Sequence, residues 1–197
     1  MTDRPSPFRH GIWTVLVFAS MLVVTAGVEF AMGRPPLGAD GRFGLWEGDI
    51  WSAGQSQRLA DPYSFTHVVH GMLFYALLRL AAPKLGADRR FLTAAFLEAA
   101  WEVLENSPFI IERYRAATIA LGYQGDSVLN SLSDVLMMAL GFWLALELKV
   151  RWSVGVALAL ELGMLLWVRD NLALNILMLI CPIDAIKSWQ MAGAPGR

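Results

Sequence analysis

The sequence predicts an all-α, polytopic membrane protein: a transmembrane helix bundle of about six spans with an outward-facing polar pocket. Three observations carry that expectation. Of the 197 residues, 56% are hydrophobic and 17% charged, below the roughly one-quarter charged that is usual in soluble domains, and the mean hydropathy is positive. The apolar residues gather into runs close to the ~20 residues a helix needs to cross the hydrocarbon core. Within those runs the ionisable residues repeat at helical spacing, and they collect toward one end. A formal net charge of −1 and the lack of any basic cluster exclude nucleic acid as a partner. The single cysteine, Cys181, excludes an internal disulfide and a cysteine-rich metal site; within LMLICPI it reads as an inert buried thiol. The length suits one integral membrane domain over residues 1–197.

The first span is Gly11–Met32. It is long for a signal-peptide core and no small-residue cleavage site follows, so it stays in the chain. The second is about Phe65–Ala82, the third about Phe91–Ile111, the fourth about Ser127–Leu148 and the fifth about Trp152–Val168. The sixth, about Leu172–Ile186, is short and contains Pro182, so it is either a kinked span or a re-entrant segment. Residues 33–64 form the long external loop, rich in Gly and Pro, with Trp46 and Trp51 suited to the bilayer interface. Arg4, Arg9, Lys84, Arg89, Arg90, Lys149, Arg151 and Lys187 share one side if there are six spans, which makes both termini cytoplasmic.

Under that topology the polar residues land at one depth. His67 and His70, in SFTHVVHG, share one face at the outer end of span two. Glu98, Glu102 and Glu105 form a stripe in the outer half of span three. Asp126, Asn130 and Asp134 descend one face of span four. The inner halves of the same spans are nearly all Leu, Ala, Val and Met. An ionised side chain at mid-bilayer costs about 2.5–3.5 kcal/mol on insertion scales, so three glutamates on one span must be protonated, paired or hydrated.

Each group has a functional and a plain structural reading. His67 and His70 with Glu102 suit one divalent metal ion, zinc, iron or manganese; H-x-x-H is not the spacing that most directly seats two ligands, and the plain reading is a histidine pair bonded to glutamates. Glu98, Glu102, Glu105, Asn130 and Asp134 suit acid–base catalysis, or a network that fixes helix packing. Asp126 reads first as a helix N-cap at the pocket rim, where it also suits a substrate contact. Arg113, Arg115 and Arg169 at the external interface suit an anionic head group, or pair with neighbouring acids.

Three blocks, SQRLADPYSFTHVVHGMLFY, EAAWEVLENSPFIIERYRAATIALGYQGDSVLNSLSD and RDNLALNILMLICPIDAIKSWQ, resemble an uncharacterised bacterial family of multi-pass inner-membrane proteins, a domain of unknown function. The resemblance covers nearly the whole chain and implies the cell inner membrane, but no reaction. A fainter similarity runs to VanZ-like and YjdF-like membrane proteins, which carry a His, Glu, Asp order across successive spans, here His67 or His70, Glu102, and Asp126 or Asp134.

Three functions follow as expectations. One is a membrane enzyme acting on a lipid or lipid-linked envelope substrate. A second is a proton-coupled transporter, which the apolar inner halves disfavour. The third is an assembly or scaffold protein whose polar groups only join helices.

Overall fold

The apolar runs become helices whose outward faces stay apolar and whose polar residues turn inward. The computed structural model describes residues 11–194; Arg4 and Arg9, used above for orientation, lie outside the described residues. Its eight helices are α1 (Gly11–Ala31), α2 (Ser64–Ala81), α3 (Ala87–Glu105), α4 (Pro108–Ala117), α5 (Val128–Glu147), α6 (Val150–Val168), α7 (Leu172–Ile180) and α8 (Asp184–Met191). No strand occurs among the described residues, only an isolated bridge between Trp46 and Ala60. The fold is all-helical, as the sequence predicts.

The span count is corrected. Three helices, α1, α5 and α6, are long and apolar enough to cross a membrane. Helices α2 and α3 are nearly as long, at 18 and 19 residues, but less apolar: α2 carries His67, His70 and Arg79, and α3 carries Asp88, Arg89, Arg90, Glu98, Glu102 and Glu105. The predicted third span does not run to Ile111. Ser107 is extended, as a residue before proline prefers, and its side chain accepts from Ile110 N at the start of α4. Pro108 lacks the N–H to continue α3, so the helix ends and α4 departs as a separate element.

Of the two readings of the sixth segment, the complete kinked span fails and a short fold-back remains. Arg169, at φ 56°, ends α6, and Asn171 caps α7 by accepting from Leu174 N. Pro182 follows the close of α7, whose nine residues rise about 14 Å, half of the ~30 Å core. Helix α8 then doubles back. Gln190 Nε2 donates to Asp170 Oδ1 at 3.0 Å, Arg169 Nη1 to Trp189 O at 3.0 Å, and Lys187 Nζ to Ala116 O at 2.7 Å. Cys181, expected to be buried, is exposed at the tip of this hairpin.

Helix α5 is central: 56% of its apolar window is buried, against 11% for α1 and 6% for α6. Helices α2 and α5 meet backbone to backbone at two glycines, since a Cβ on Gly71 would lie 1.9 Å from Met138 O and one on Gly141 1.9 Å from Val68 O. Small residues permit this approach in membrane bundles. Met72, Tyr75, Ala94, Ala95, Val135, Met138 and Phe142 fill the lower core. Exposure is inverted relative to a soluble protein: Leu166 and Leu80 are 84% and 80% exposed, whereas Glu98 and Glu102 are 0% and 1%. That distribution suits a lipid surround.

Residues 32–63 link α1 to α2 without a helix. The segment caps α5 with its carbonyls: Ser127 N donates to Ser56 O, Val128 N to Pro35 O and Leu129 N to Pro36 O. Trp46 stacks on Trp167 at 6.1 Å, pinning the loop to the end of α6. Arg58 pairs with Asp40 at 2.8 Å, which holds the Asp40 carboxyl down at about 2. The up-and-down chain thus brings together the C-terminal ends of α1, α3 and α6 and the N-terminal ends of α2 and α5.

Candidate functional site

At that end the two imidazoles of α2 converge on one carboxylate of α3. His67 Nδ1 lies 2.5 Å from Glu98 Oε1, and His70 Nδ1 lies 3.0 and 3.1 Å from the two oxygens of Glu98. The three-residue spacing puts both rings on the face turned to α3, with centroids 5.1 Å apart and edge to face. With Nδ1 donating to the carboxylate, the neutral His67 ring keeps Nε2 as its acceptor. That atom faces Asp134 Oδ2 at 3.8 Å, and Asp134 is held by Ser64 Oγ, which donates to Oδ1 at 3.0 Å. Glu102 Oε1 stands 3.4 Å from His67 Nδ1 without a hydrogen bond, because the single hydrogen on that nitrogen goes to Glu98.

A second knot joins the break after α3 to the start of α5. Asp126 N donates to Asn106 Oδ1 at 2.7 Å, and Asn106 Nδ2 returns to Asp126 Oδ2 at 3.2 Å and to Ser131 Oγ at 3.0 Å. Tyr123 OH donates to Asp126 Oδ2 at 2.9 Å. Burial pushes the Asp126 carboxyl up to about 6. Asp126 is therefore more than a rim residue: the side chain that accepts from Asn130 N, the N-cap of α5, is Ser127. Asp61 accepts from Tyr63 N at 2.8 Å and Ser56 N at 3.1 Å, and burial raises its carboxyl too. Tyr63 OH donates to Asp170 Oδ2 at 2.9 Å, and burial lifts Asp170 to about 6.

These residues surround a cavity of about 690 Å³ between the long loop, α4 and α7. Of the residues singled out from sequence, His67, His70, Glu105, Asp126, Asn130 and Asp134 line it. Glu98 and Glu102 stand behind the wall, fully buried. The carboxylate that the histidines share is Glu98, where the sequence reading paired them with Glu102. His67, His70 and Glu98 each bring a possible ligand atom within 4.8 Å of the others, as do Glu102, Glu105 and Asp126. A metal on the histidines would use the Nε2 atoms, with Glu98 orienting both rings.

The three arginines lie elsewhere. Arg113 donates to the carbonyls of Leu179 and Ile180 at the end of α7, and Arg115 to Tyr123 O. Arg169 holds Trp189. None of the three is on the cavity wall. The wall's arginine is Arg34, which the sequence reading passed over because nothing in its local pattern distinguishes it. Asp61 was equally missed, although D-P-Y-S carries the signal of an Asx turn opening a helix. Tyr63, Tyr114 and Tyr123 line the cavity as well.

A family described as "Protein of unknown function (DUF2585)" matches residues 29–192. The chain is 46% identical to a UPF0314 protein of Sphingopyxis alaskensis, over 90% of this chain and 95% of that one. It is 47% identical to a UPF0314 protein of Paracoccus denitrificans, over 97% and 95% of the two chains. No solved structure matches it.

Proposed function

The chain belongs to the DUF2585 family of proteins of unknown function, and from its own residues we propose that it is a multi-pass enzyme of the bacterial inner membrane acting on a lipid or lipid-linked envelope substrate. His67 is the general base. The observation that carries this reading is the Glu98–His67 contact of 2.5 Å behind a cavity wall to which His67 itself belongs. A buried carboxylate on Nδ1 fixes the ring and stabilises the imidazolium formed when Nε2 takes a proton from water or a substrate hydroxyl. Asp134, 3.8 Å from Nε2, places a second carboxyl group on the side where the proton arrives.

The topology that goes with this has five crossings: α1, α2, α3, α5 and α6. The outward faces of α2 and α3, with Leu73, Leu77, Leu80, Phe96 and Leu97, are apolar and exposed, which supports placing both in lipid. Five crossings put the two ends of the chain on opposite faces, in place of the shared side that six would give. The basic connections with Lys84, Arg89, Arg90, Lys149 and Arg151 lie at the face away from the pocket and support a cytoplasmic assignment for it. The pocket then opens to the periplasm.

The packing below the site favours an enzyme over a proton-coupled transporter. Val135, Met138 and Phe142 are fully buried there and offer no polar group for a relay. The test is lipid analysis of a deletion strain complemented with wild type, His67→Gln or Glu98→Gln. Wild type should restore the envelope lipid profile and neither variant should. A His67→Gln protein present at wild-type level in the membrane that restores the profile in full sinks the proposal.

A further inference from the structure

Beside the histidines lies a group of carboxylates that the acid–base reading does not use. We propose that Glu102, Glu105 and Asp126 form a divalent-cation site on the pocket floor, separate from the imidazoles and suited to Mg²⁺ or Mn²⁺. One oxygen from each lies within 4.8 Å of the others, a grouping that could hold one metal ion once the side chains draw in around it. The residues come from two elements: Glu102 and Glu105 from adjacent turns of α3, and Asp126 from the loop that enters α5.

An independent observation points to a ligand. Glu102 is 1% exposed and its Oε1 has no hydrogen-bond partner. A buried carboxylate oxygen left without a donor is costly unless a cation or a proton meets it. Its nearest nitrogen, His67 Nδ1 at 3.4 Å, is already engaged by Glu98 at 2.5 Å. Asp126 is oriented by Tyr123 OH and by Asn106 on Oδ2, the kind of outer support that fixes a metal-ligating carboxylate. The rest of the neighbourhood deepens the charge deficit. Glu29 is fully buried with Asp126 and Ser131 beside it, and Asp61 and Asp134 complete the wall. Arg34, the arginine at the cavity, is directed to Gln124 O.

The donor set selects the ion. Three carboxylates and no nitrogen suit hard cations that keep water in their remaining positions, which is the habit of Mg²⁺ and Mn²⁺. Glu105 and Asp126 line the cavity, so the ion enters from the pocket and its open positions face a substrate. A cation there would attract the phosphate of a lipid-linked substrate into a cavity whose own carboxylates would otherwise repel it. This last step rests on the proposed function; the ion site does not.

The experiment is Mn²⁺ binding by the full-length protein in detergent, followed by electron paramagnetic resonance. Wild type should bind one Mn²⁺ per chain, competed by Mg²⁺, with echo-modulation spectra free of coupling to a directly bound imidazole nitrogen. Glu105→Gln and Asp126→Asn should each weaken binding at least ~tenfold, with His70→Gln within about twofold of wild type. Saturable binding that Glu105→Gln leaves unchanged, or no saturable binding at all, overturns the site and assigns the carboxylates to a protonated network. Imidazole coupling in the wild-type spectrum overturns it without reference to any variant. Loss of Mn²⁺ binding with lipid complementation still dependent on His67 would overturn the ion site and leave the acid–base reading standing.

Discussion

Gly141→Ala should pry open the site from its supporting side, because the α2 backbone leaves no room for a methyl group. The new Cβ would stand 1.9 Å from Val68 O, 2.8 Å from Val68 C and 3.0 Å from Val68 Cα. Ordinary contact begins near 3.4 Å, so the oxygen must retreat by about 1.5 Å. Every atom involved is backbone, so no side chain can turn aside and the helices themselves must part. Overpacking of this kind destabilises by about 1–3 kcal/mol, and two rigid helices place it at the upper end. Parting α2 from α5 by that distance stretches the Ser64–Asp134 hydrogen bond from 3.0 Å to about 4.5 Å, beyond any hydrogen bond. The assay is thermal unfolding in detergent, read beside complementation of the deletion strain. For a chain of this size about 3 kcal/mol corresponds to a drop of roughly 6–12 °C. A Gly141→Ala protein melting within about 2 °C of wild type and fully active would refute the close approach. Gly71→Ala tests the same contact from the other helix, with its Cβ 1.9 Å from Met138 O and 2.5 Å from Phe142 N.

Reporter fusions at the two ends should find them on opposite faces of the membrane; ends on one face would restore a sixth crossing. Burial holds the Asp170 carboxyl at about 6 against an ordinary 3.8. The folded state therefore binds that proton more tightly, so the favourable contribution is complete below pH 4 and lost as pH rises through 6. Asp170→Asn should then gain stability on wild type at pH 7 by up to about 3 kcal/mol and lose that advantage near pH 4, and parallel melting-versus-pH curves would refute it. Arg113→Ala should lower stability by about 1 kcal/mol, through freed carbonyls at the end of α7. A substrate role for Arg113 would instead reduce activity with melting unchanged.

Much of the site was legible because helical spacing is local. His67 with His70, and Glu98 with Glu102 and Glu105, fall on single faces by arithmetic, and apolar inner halves force those faces to share one end. Which glutamate meets the histidines was not legible. It depends on the vertical offset of α2 against α3, and a shift of one turn exchanges Glu98 for Glu102. The arginines were misjudged for a related reason. Arg113, Arg115 and Arg169 look free in sequence, but the α7–α8 hairpin brings carbonyls and an indole to Arg113 and Arg169, and the chain before α5 brings Tyr123 O to Arg115. That hairpin was hidden because the mostly apolar α7, Pro182 and the first turn of α8 read as one kinked or re-entrant segment; its fold-back is fixed by Gln190 and Lys187 bonding to Asp170 and Ala116.

By itself, then, the sequence determined an all-helical chain with apolar surfaces and a titratable stripe on three helices, because hydropathy and the 3.6-residue period act within one segment. Only the tertiary structure decided the pairings: Glu98 shared by two imidazoles, Asp126 knotted to Asn106, Glu102 left without a donor. Those follow from the offset of α3 against α2 and against the loop into α5, which no single segment encodes; Gly71 and Gly141 set the separate α2–α5 approach that brings Ser64 to Asp134.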